Sequence, residues 1–154
     1  MRVSVIGGSA VGATERETAY QVGVRLAERD HVVVCGGLGG VMAAVCEGAR
    51  AAGGRTIGIL PGADQTEANE FVETPVATGM GHARNAVVVM NGDAVIAVDG
   101  GGGTLSEIGF ASVFDRPVAG LGTHAVAGIH PCETPEEAVD YVERAVADDP
   151  IDGS

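Results

Sequence analysis

The chain has 154 residues and a formal net charge of −12, and its nine basic residues are all arginine. A chain of this length is expected to form one domain that buries about 70% of its unfolded surface. The negative charge disfavours binding to duplex DNA through phosphate neutralisation. Aromatic residues make up 3% of the chain and tryptophan is absent, so base stacking is excluded as the main mode of recognition.

Composition also indicates the environment. The acidic, lysine-free, Ala/Val/Gly-rich sequence resembles proteins of salt-loving archaea, and codon usage in a GC-rich genome is the alternative explanation. At about 1 M salt the Debye length is about 3 Å, so the acidic surface would hardly repel a phosphate ligand. We expect a cytoplasmic protein, because the N-terminus lacks a signal-peptide pattern and no apolar stretch approaches about 20 residues. Three cysteines without CxxC spacing predict neither disulfides nor a structural zinc site.

Apolar runs and helical periodicities alternate along the chain. Thr14 and Glu17 have the spacing of a capping box, and Pro135 with the following acids opens a last helix. The predicted strands are 2–6, 31–35, 55–60, 71–77, 94–98, 116–121 and 126–129, and the predicted helices are 14–29, 41–52, 79–91, 104–114 and 134–147, with a surface loop at 63–70. This pattern predicts a single-domain, Rossmann-like α/β fold over residues 1–147, with a doubly wound, mostly parallel sheet and helices on both faces. Residues 148–154 are predicted to be an acidic C-terminal tail.

Three glycine clusters follow predicted strands, at 7–8, 36–40 and 100–103. Because the carboxyl ends of parallel strands share one edge of the sheet, we expect these clusters to converge there. The third cluster, within Asp99–Glu107, has the order strand, four glycines, hydroxyl residue, helix. Glycine lets a backbone approach an anion, and the N–H groups of a helix's first turn bind it, so this stretch predicts a phosphate-binding turn. The inner face of its helix is predicted to carry Leu105, Ile108, Gly109, Ala111 and Ser112.

Two common nucleotide motifs do not fit. The stretch 7–12, GGSAVG, matches G-x-G-x-x-G poorly, and Cys35-Gly36 stands where an acidic residue would hold the ribose of NAD. A P-loop requires lysine, which this chain lacks. The absence of lysine also excludes a pyridoxal phosphate Schiff base, and with it lysine decarboxylation.

The stretch Asp99-Gly-Gly-Gly-Gly-Thr-Leu-Ser-Glu107 resembles the P-G-G-x-G-T-x-x-E motif of the Lonely Guy (LOG) proteins, which are phosphoribohydrolases of cytokinin nucleoside 5′-monophosphates. The segment 80–85, MGHARN, resembles their M-x-x-R-K segment, and 36–42 resembles their second glycine loop. Asp99 replaces proline, Asn85 replaces lysine and Ser106 replaces the first glutamate. These departures make the chain more similar to the smaller LOG-like (SLOG) branch, which includes molybdenum-cofactor carrier proteins and is related in fold to DNA-processing protein A.

The resemblance implies roles residue by residue. Arg84 would pair with phosphate or ribose as a fork-shaped donor. Glu107 would stabilise positive charge on the ribose, or orient water, as an N-glycosidic bond breaks. Asp99, His82 and Met80 are candidate ribose or base contacts, although a carboxylate at 99 would repel a nearby phosphate. The phosphate and nucleotide contacts would come from Gly8, Ser9, Gly37 (as the pocket floor), Gly100, Gly101, Gly102, Gly103 and Thr104.

Two functions remain open. The first is hydrolysis of a nucleoside 5′-monophosphate to free base and ribose 5-phosphate, favoured by Glu107 and Arg84. The second is a non-catalytic carrier or sensor of a nucleotide or molybdenum-cofactor-type ligand, favoured by Asn85 and Asp99. No cofactor is expected for the reaction. His124, His130 and Cys132 lie close in sequence but lack the spacing of a zinc module, so no metal is expected. The resemblance also implies a homodimer or larger homo-oligomer, and neither nucleic acid nor membrane is an expected partner.

Overall fold

In the computed structural model, residues 1–148 are described, and they form seven strands and five α-helices. The strands are β1 (Arg2–Gly7), β2 (Val32–Cys35), β3 (Thr56–Leu60), β4 (Thr74–Ala77), β5 (Ala94–Val98), β6 (Val118–Leu121) and β7 (Ile129–Pro131). The helices are α1 (Ala13–Glu28), α2 (Val41–Ala51), α3 (Arg84–Met90), α4 (Gly102–Val113) and α5 (Pro135–Asp148), and single 3₁₀ turns lie at Gln65–Glu67 and Gly81–Ala83.

The seven strands form one sheet in the order β4-β3-β2-β1-β5-β6-β7, and every pairing is parallel. The chain starts at the centre with β1, builds outward to β4, and then returns to the other side of β1 with β5. The strand order therefore reverses between β1 and β5, whose register pairs Val3 with Ala94 and Gly7 with Val98. In open α/β sheets ligands bind at such a switch point, beyond the carboxyl ends of the strands.

Helices cover both faces of the sheet. Val3 and Val5 of β1 belong to the core beneath α1, α2 and α5, whereas Ile6 belongs to the core beneath α3 and α4. This split follows from the alternation of side chains along a strand. Ser4 is fully buried, and its hydroxyl donates to the Val88 carbonyl of α3 at 2.7 Å. The predicted doubly wound α/β fold is confirmed, and the described sheet is parallel throughout.

Helices α1 and α2 approach each other closely because glycine stands at the crossing. A Cβ on Gly23 would overlap the Val45 carbonyl oxygen, and one on Gly48 would overlap the Tyr20 carbonyl oxygen. Both glycines are buried on the inward helix faces where the periodicity predicts them. These two helices pack over β1 and β2 and so fix the loops that follow those strands.

The predicted last short strand exists, but its bounds of 126–129 are wrong, because β7 runs over Ile129–Pro131. The Val126 N–H donates to the His124 carbonyl, and Gly128 has a φ of 95°. These turn conformations keep 126–128 out of the sheet. The prediction placed a strand on apolar character alone, although the segment lies in the loop between β6 and β7.

Helix α1 begins at Ala13, close to its predicted start, but the capping box of Thr14 and Glu17 is wrong, because the helix has no side-chain cap. The predicted start of α5 is confirmed, with Pro135 first and two acids in the first turn. There the Glu137 N–H donates to Thr134 Oγ1 at 3.1 Å, and the Glu133 N–H donates to Glu137 Oε2 at 3.0 Å, a variant of the capping box.

The remaining boundaries differ slightly. The predicted helix 79–91 is a 3₁₀ turn followed by α3, and the loop 63–70 contains the other 3₁₀ turn. Helix α5 ends at Asp148, one residue past the predicted domain boundary, and tail residues 149–154 lie outside the described residues. Within 1–148, no helix has the length and apolar character needed to cross a membrane.

Candidate functional site at the switch point

A cavity of about 320 Å³ opens at the switch point of the sheet. Three glycine-containing segments and the start of α3 form its wall, so the clusters after β1, β2 and β5 do converge. The lining residues are Val5, Ile6, Gly7, Gly8, Ser9, Gly36, Leu38, Met42, His82, Arg84, Asn85, Gly101, Gly102, Gly103, Thr104 and Glu107.

Helix α4 presents its N-terminus to this cavity. It begins at Gly102, two residues before the predicted start, and its N-cap residue Gly101 supplies no side-chain hydrogen bond. The first N–H groups of a helix have no acceptor within the helix and carry the positive end of its dipole. Gly102, Gly103 and Thr104 line the cavity, so this end of α4 provides unpaired donors at its wall.

The glycines of this turn meet different requirements. Gly100 has a φ of 122°, and a Cβ there would overlap the Thr104 side chain, so folding itself requires glycine. At Gly101 and Gly102 a Cβ would meet nothing within 4 Å, and neither residue has a positive φ. Packing therefore leaves these two positions free, and the absent side chains keep the backbone open to the cavity.

The inward face of α4 differs from its prediction. Leu105 is 44% exposed, and Gly109 and Ser112 are exposed as well, so these three placements are wrong. The buried face consists of Thr104, Glu107, Ile108 and Ala111. This is the i, i+3, i+4, i+7 spacing of one helical stripe, and its first two members are polar because they face the cavity rather than the core.

Arg84 enters the cavity from the start of α3 and is only 8% exposed. Its Nη1 donates to the Asn85 side-chain oxygen, and its Nη2 donates to the Gly36 carbonyl at 3.4 Å. Its Nε is buried and has no hydrogen-bond partner within residues 1–148. Burial lowers the pKa of Arg84, and the charge of Glu107 opposes that change. The site thus holds a cation with an unused donor.

Gly36 makes room for this guanidinium. A Cβ at Gly36 would lie 2.8 Å from Arg84 Nη2 and 2.6 Å from Met42 Sδ, so a larger residue would displace the arginine. Gly37, predicted as the floor of the pocket, does not line it. A Cβ at Gly37 would lie 2.7 Å from Leu60 Cδ2, and Leu60 is not a lining residue either. Of the two glycines, Gly36 lines the cavity.

Asn85 connects Arg84 to the glycine turn. Its side-chain N–H donates to Ser106 Oγ at 3.1 Å, and the Ser106 hydroxyl donates to the Gly103 carbonyl at 2.6 Å. Asn85 and Ser106 are two of the three positions at which the motif departs from the LOG pattern, and they are bonded to each other. The two departures therefore belong to one network that joins α3 to the first turn of α4.

Glu107 lines the same cavity and is also 8% exposed. Burial raises the pKa of Glu107 to about 7, and the nearby charge of Arg84 opposes that rise. No ion pair within 4.0 Å joins the two residues in the described chain. A carboxyl group of this kind exists in both protonation states at neutral pH, which suits proton transfer or charge stabilisation.

The other predicted site residues divide into two groups. Gly8, Ser9 and His82 line the cavity, whereas Met80, Asp99 and Gly100 do not. Asp99 has a φ of 52° and lies beside a separate cleft with Glu15 and Glu133. Its backbone carbonyl accepts from Thr123 Oγ1 at 2.8 Å. The Asp99 carboxylate does not line the cavity, but its Oδ2 would lie 3.7 Å from a Cβ on Gly8, which does. The expected repulsion of a nearby phosphate is therefore not removed.

Sequence reasoning did not assign Gly7, Leu38, Met42, Gly36 or Asn85 to the site, although the structure brings them into its lining. The available signal for Gly36 and Met42 was the second of the three glycine clusters, at 36–40. Gly36 begins that cluster, and Met42 lies in helix α2, which follows it. For Asn85 the signal was its adjacency to Arg84.

The fold and the cavity define a class: single-domain, Rossmann-like α/β proteins with a glycine-lined pocket at the topological switch point. The model of the SLOG cluster4 family matches residues 1–147. The chain belongs to this family.

Relatives and solved structures agree with that assignment. An uncharacterized protein of Archaeoglobus fulgidus is 44% identical over 92% of this chain and 93% of its own length. A probable cytokinin riboside 5′-monophosphate phosphoribohydrolase of Oryza sativa subsp. japonica is 33% identical, and the match covers 96% of this chain but 66% of the rice protein. The molybdenum cofactor binding protein of Rippkaea orientalis superposes with a TM-score of 0.85 at 31% identity, covering 94% of this chain and 95% of that one. DNA processing protein A of Helicobacter pylori, at 18% identity and a TM-score of 0.73, shares the fold over 96% of this chain and 81% of its own.

Proposed function

We propose that the cavity at the switch point binds the phosphate of a nucleotide or a similar phosphate-bearing ligand. The observation that carries this proposal is the buried Arg84, whose Nε lacks a partner in the described chain, in one cavity with the uncapped N-terminus of α4. An unpaired buried cation and a row of free N–H groups together favour a multiply charged anion.

The glycine turn supports a phosphate that approaches the backbone directly. Gly101 and Gly102 are free of packing constraints, so their lack of side chains serves access rather than folding. A volume of about 320 Å³ lies at the lower end of the range for small-molecule sites. Both properties fit a phosphate with an attached sugar.

We further propose that the ligand is a nucleoside 5′-monophosphate and that the protein hydrolyses its N-glycosidic bond. Water would add to the anomeric carbon, and the base would leave with a proton, giving free base and ribose 5-phosphate. Ionised Glu107 would stabilise the cationic sugar or orient the water, and Arg84 would hold the phosphate. The named activity of the rice relative supports this reaction.

The alternative is a carrier that binds without turnover. The Rippkaea orientalis protein and the molybdenum cofactor carrier protein of Chlamydomonas reinhardtii, at 28% identity and a TM-score of 0.85, match this chain over nearly their whole lengths. The rice phosphoribohydrolase extends beyond the match. Asn85 and Ser106 also replace two charged residues of the enzyme motif, which favours binding over catalysis.

One experiment tests both functions. The protein is incubated with AMP, GMP, CMP and IMP in about 1 M KCl, where surface repulsion is screened, and free base is measured by chromatography while bound nucleotide is measured by calorimetry. Hydrolysis is expected for at least one nucleotide. Glu107→Gln should lower the rate by about 100-fold or more, and Arg84→Met should weaken binding by about tenfold or more.

The control variants Glu47→Gln and Arg55→Met change the same residue types at exposed positions and should behave like the wild type. Binding without base release, abolished by Arg84→Met, would support the carrier and contradict hydrolysis. Absence of binding to all four nucleotides would refute the nucleotide proposal.

The expected homo-oligomer and the cytoplasmic location stay predictions. Met90, Leu105 and Val113 on α3 and α4 are exposed apolar side chains, Val113 to 72%, and they support pairing of two copies through these helices.

A further inference from the structure

A second group of reactive side chains lies at the β7 edge of the sheet, between β7 and α5. His130 belongs to β7 and Cys132 follows its last residue, while Glu137 lies in the first turn of α5. Residues two apart in an extended chain face the same side, so His130 and Cys132 both point toward α5. One ligand atom from each of the three side chains lies within 4.8 Å of the other two.

The surrounding contacts hold each side chain in place. Tyr141, one helical turn after Glu137, stacks on the His130 ring with centroids 4.1 Å apart and planes 4° apart. One oxygen of Glu137 accepts the Glu133 N–H, which leaves the other oxygen free. The Cys132 N–H donates to the Gly120 carbonyl at 2.8 Å. The imidazole and the carboxylate are thus oriented by contacts that leave ligating atoms free. The Cys132 thiol donates a weak hydrogen bond to the His130 carbonyl, with its sulfur 3.6 Å from that oxygen, and loses this bond when it binds a metal as a thiolate.

We propose that His130, Cys132 and Glu137 bind a divalent metal ion of the zinc type. Thiolate and imidazole select borderline-soft ions such as Zn²⁺, and three protein ligands with one open position are typical of reactive rather than purely structural zinc sites. Ligand atoms around tetrahedral zinc lie about 3.5 Å apart, as follows from bond lengths of about 2.0 to 2.3 Å. Spacings of up to 4.8 Å therefore require side-chain rotations that move an atom by about 1 Å.

The surroundings favour a cation with an exchangeable ligand. A carboxylate oxygen of Glu137 lies within 4.8 Å of the Cys132 thiol, and a negative charge at this distance attracts a cation. Cys132 also lines a cleft of about 510 Å³ together with His124 and Glu133. This cleft reaches the Cys132 side of the cluster, and His130 is exposed to solvent, so a metal ion has access to the cluster.

The metal would also act on the candidate site through the loop between β6 and β7. In that loop, Thr123 donates to the Asp99 carbonyl and His124 Nε2 lies 3.0 Å from the Gly101 carbonyl oxygen. An ion that joins β7 to α5 would fix one end of this loop and so steady the glycine turn. The metal site itself does not depend on what the turn binds.

The test is titration of tag-free, reduced, metal-free protein with Co²⁺ and competition with Zn²⁺. We expect one Co²⁺ per chain with thiolate-to-metal charge-transfer absorption, displacement by Zn²⁺, and a Zn²⁺-dependent rise in melting temperature. Cys132→Ser should abolish the charge-transfer band although Cys35 and Cys46 remain. His130→Gln and Glu137→Gln should each weaken Co²⁺ binding by about tenfold or more.

His124→Gln is the matched control, because His124 lines the same cleft but lies outside the cluster, and it should bind Co²⁺ like the wild type. His130 is exposed, so His130→Gln keeps the fold and carries the test even if Cys132→Ser does not fold. Absence of a charge-transfer band in the wild type, its persistence in Cys132→Ser, or unchanged affinity in His130→Gln would overturn the proposal.

Discussion

Replacing Glu107 by glutamine is expected to stabilise the protein increasingly as the pH rises. The carboxyl group is buried, its pKa is raised to about 7, and its ordinary value is 4.5. Between these values the folded protein keeps a proton that the unfolded chain has lost, so unfolding releases a proton and wild-type stability falls as the pH rises. Glutamine resembles the protonated acid in shape and carries no charge at any pH, and it therefore escapes this loss.

The size of the effect follows from the two pKa values. At 1.36 kcal/mol for each unit of difference, the variant should exceed the wild type by about 1 kcal/mol at pH 5, about 2 kcal/mol at pH 6 and about 3 kcal/mol at pH 8. For a domain of this size each kcal/mol changes the melting temperature by about 2 to 4 °C. The two proteins should thus melt at nearly the same temperature at pH 4 and about 6 to 12 °C apart at pH 8.

Urea unfolding at pH 4, 5, 6 and 8 in constant KCl measures these free energies directly. Glu47→Gln, at an exposed position of α2, is the control and should follow the wild-type pH profile. If Glu107→Gln follows the wild-type profile as well, Glu107 ionises in the folded protein as it does in water. The reasoning that places a largely desolvated carboxyl group in the cavity would then fail.

Two further predictions concern packing and charge. Gly48→Ala should destabilise the protein by about 1 to 3 kcal/mol, because its Cβ would overlap the Tyr20 carbonyl oxygen. Gly109→Ala has open space around the added Cβ and should stabilise the protein by about 0.5 to 1 kcal/mol. Equal effects of the two changes on urea unfolding would contradict the close crossing of α1 and α2. Because the net charge is −12, the urea midpoint should rise as KCl increases from about 0.1 M to about 1 M. Over this range the Debye length falls from about 10 Å to about 3 Å, which screens repulsion between the acidic residues. A flat or falling midpoint would show that this self-repulsion does not limit stability.

The fold was predictable because its determinants are local and repeated. Continuous apolar runs such as Ala94–Val98 are fully buried strands of a parallel sheet, and the glycines after them mark the turns that lead into helices. The parallel arrangement then brings the glycine clusters together without any further information. The exception is Val126, an apolar residue in a loop, where side-chain type alone does not separate an edge strand from a turn.

The chemistry of the site was less predictable because it depends on burial. Arginine and glutamate are rarely fully buried, and nothing around Arg84 or Glu107 in the sequence shows that both are 8% exposed. The spacing of apolar residues predicted that Leu105 lies on the inner face of α4. That prediction failed because two residues of the buried face, Thr104 and Glu107, are polar and line a cavity. The metal-type cluster depends on a long-range contact, because Glu137 reaches His130 only when α5 docks on β7.

The charges of the cavity narrow the kind of ligand that fits it. Nε of buried Arg84 has no hydrogen-bond partner within residues 1–148, and an anion would supply one. A second anionic group beside Glu107 would raise the cost of ionising an acid whose pKa is already about 7. A ligand that satisfies both residues therefore carries its negative charge at one end, near Arg84 and the start of α4, and a neutral or electron-poor carbon at the other. The proposed nucleoside monophosphate has this polarity, with the phosphate at one end of the sugar and the glycosidic carbon at the other, whereas inorganic phosphate would satisfy Arg84 alone.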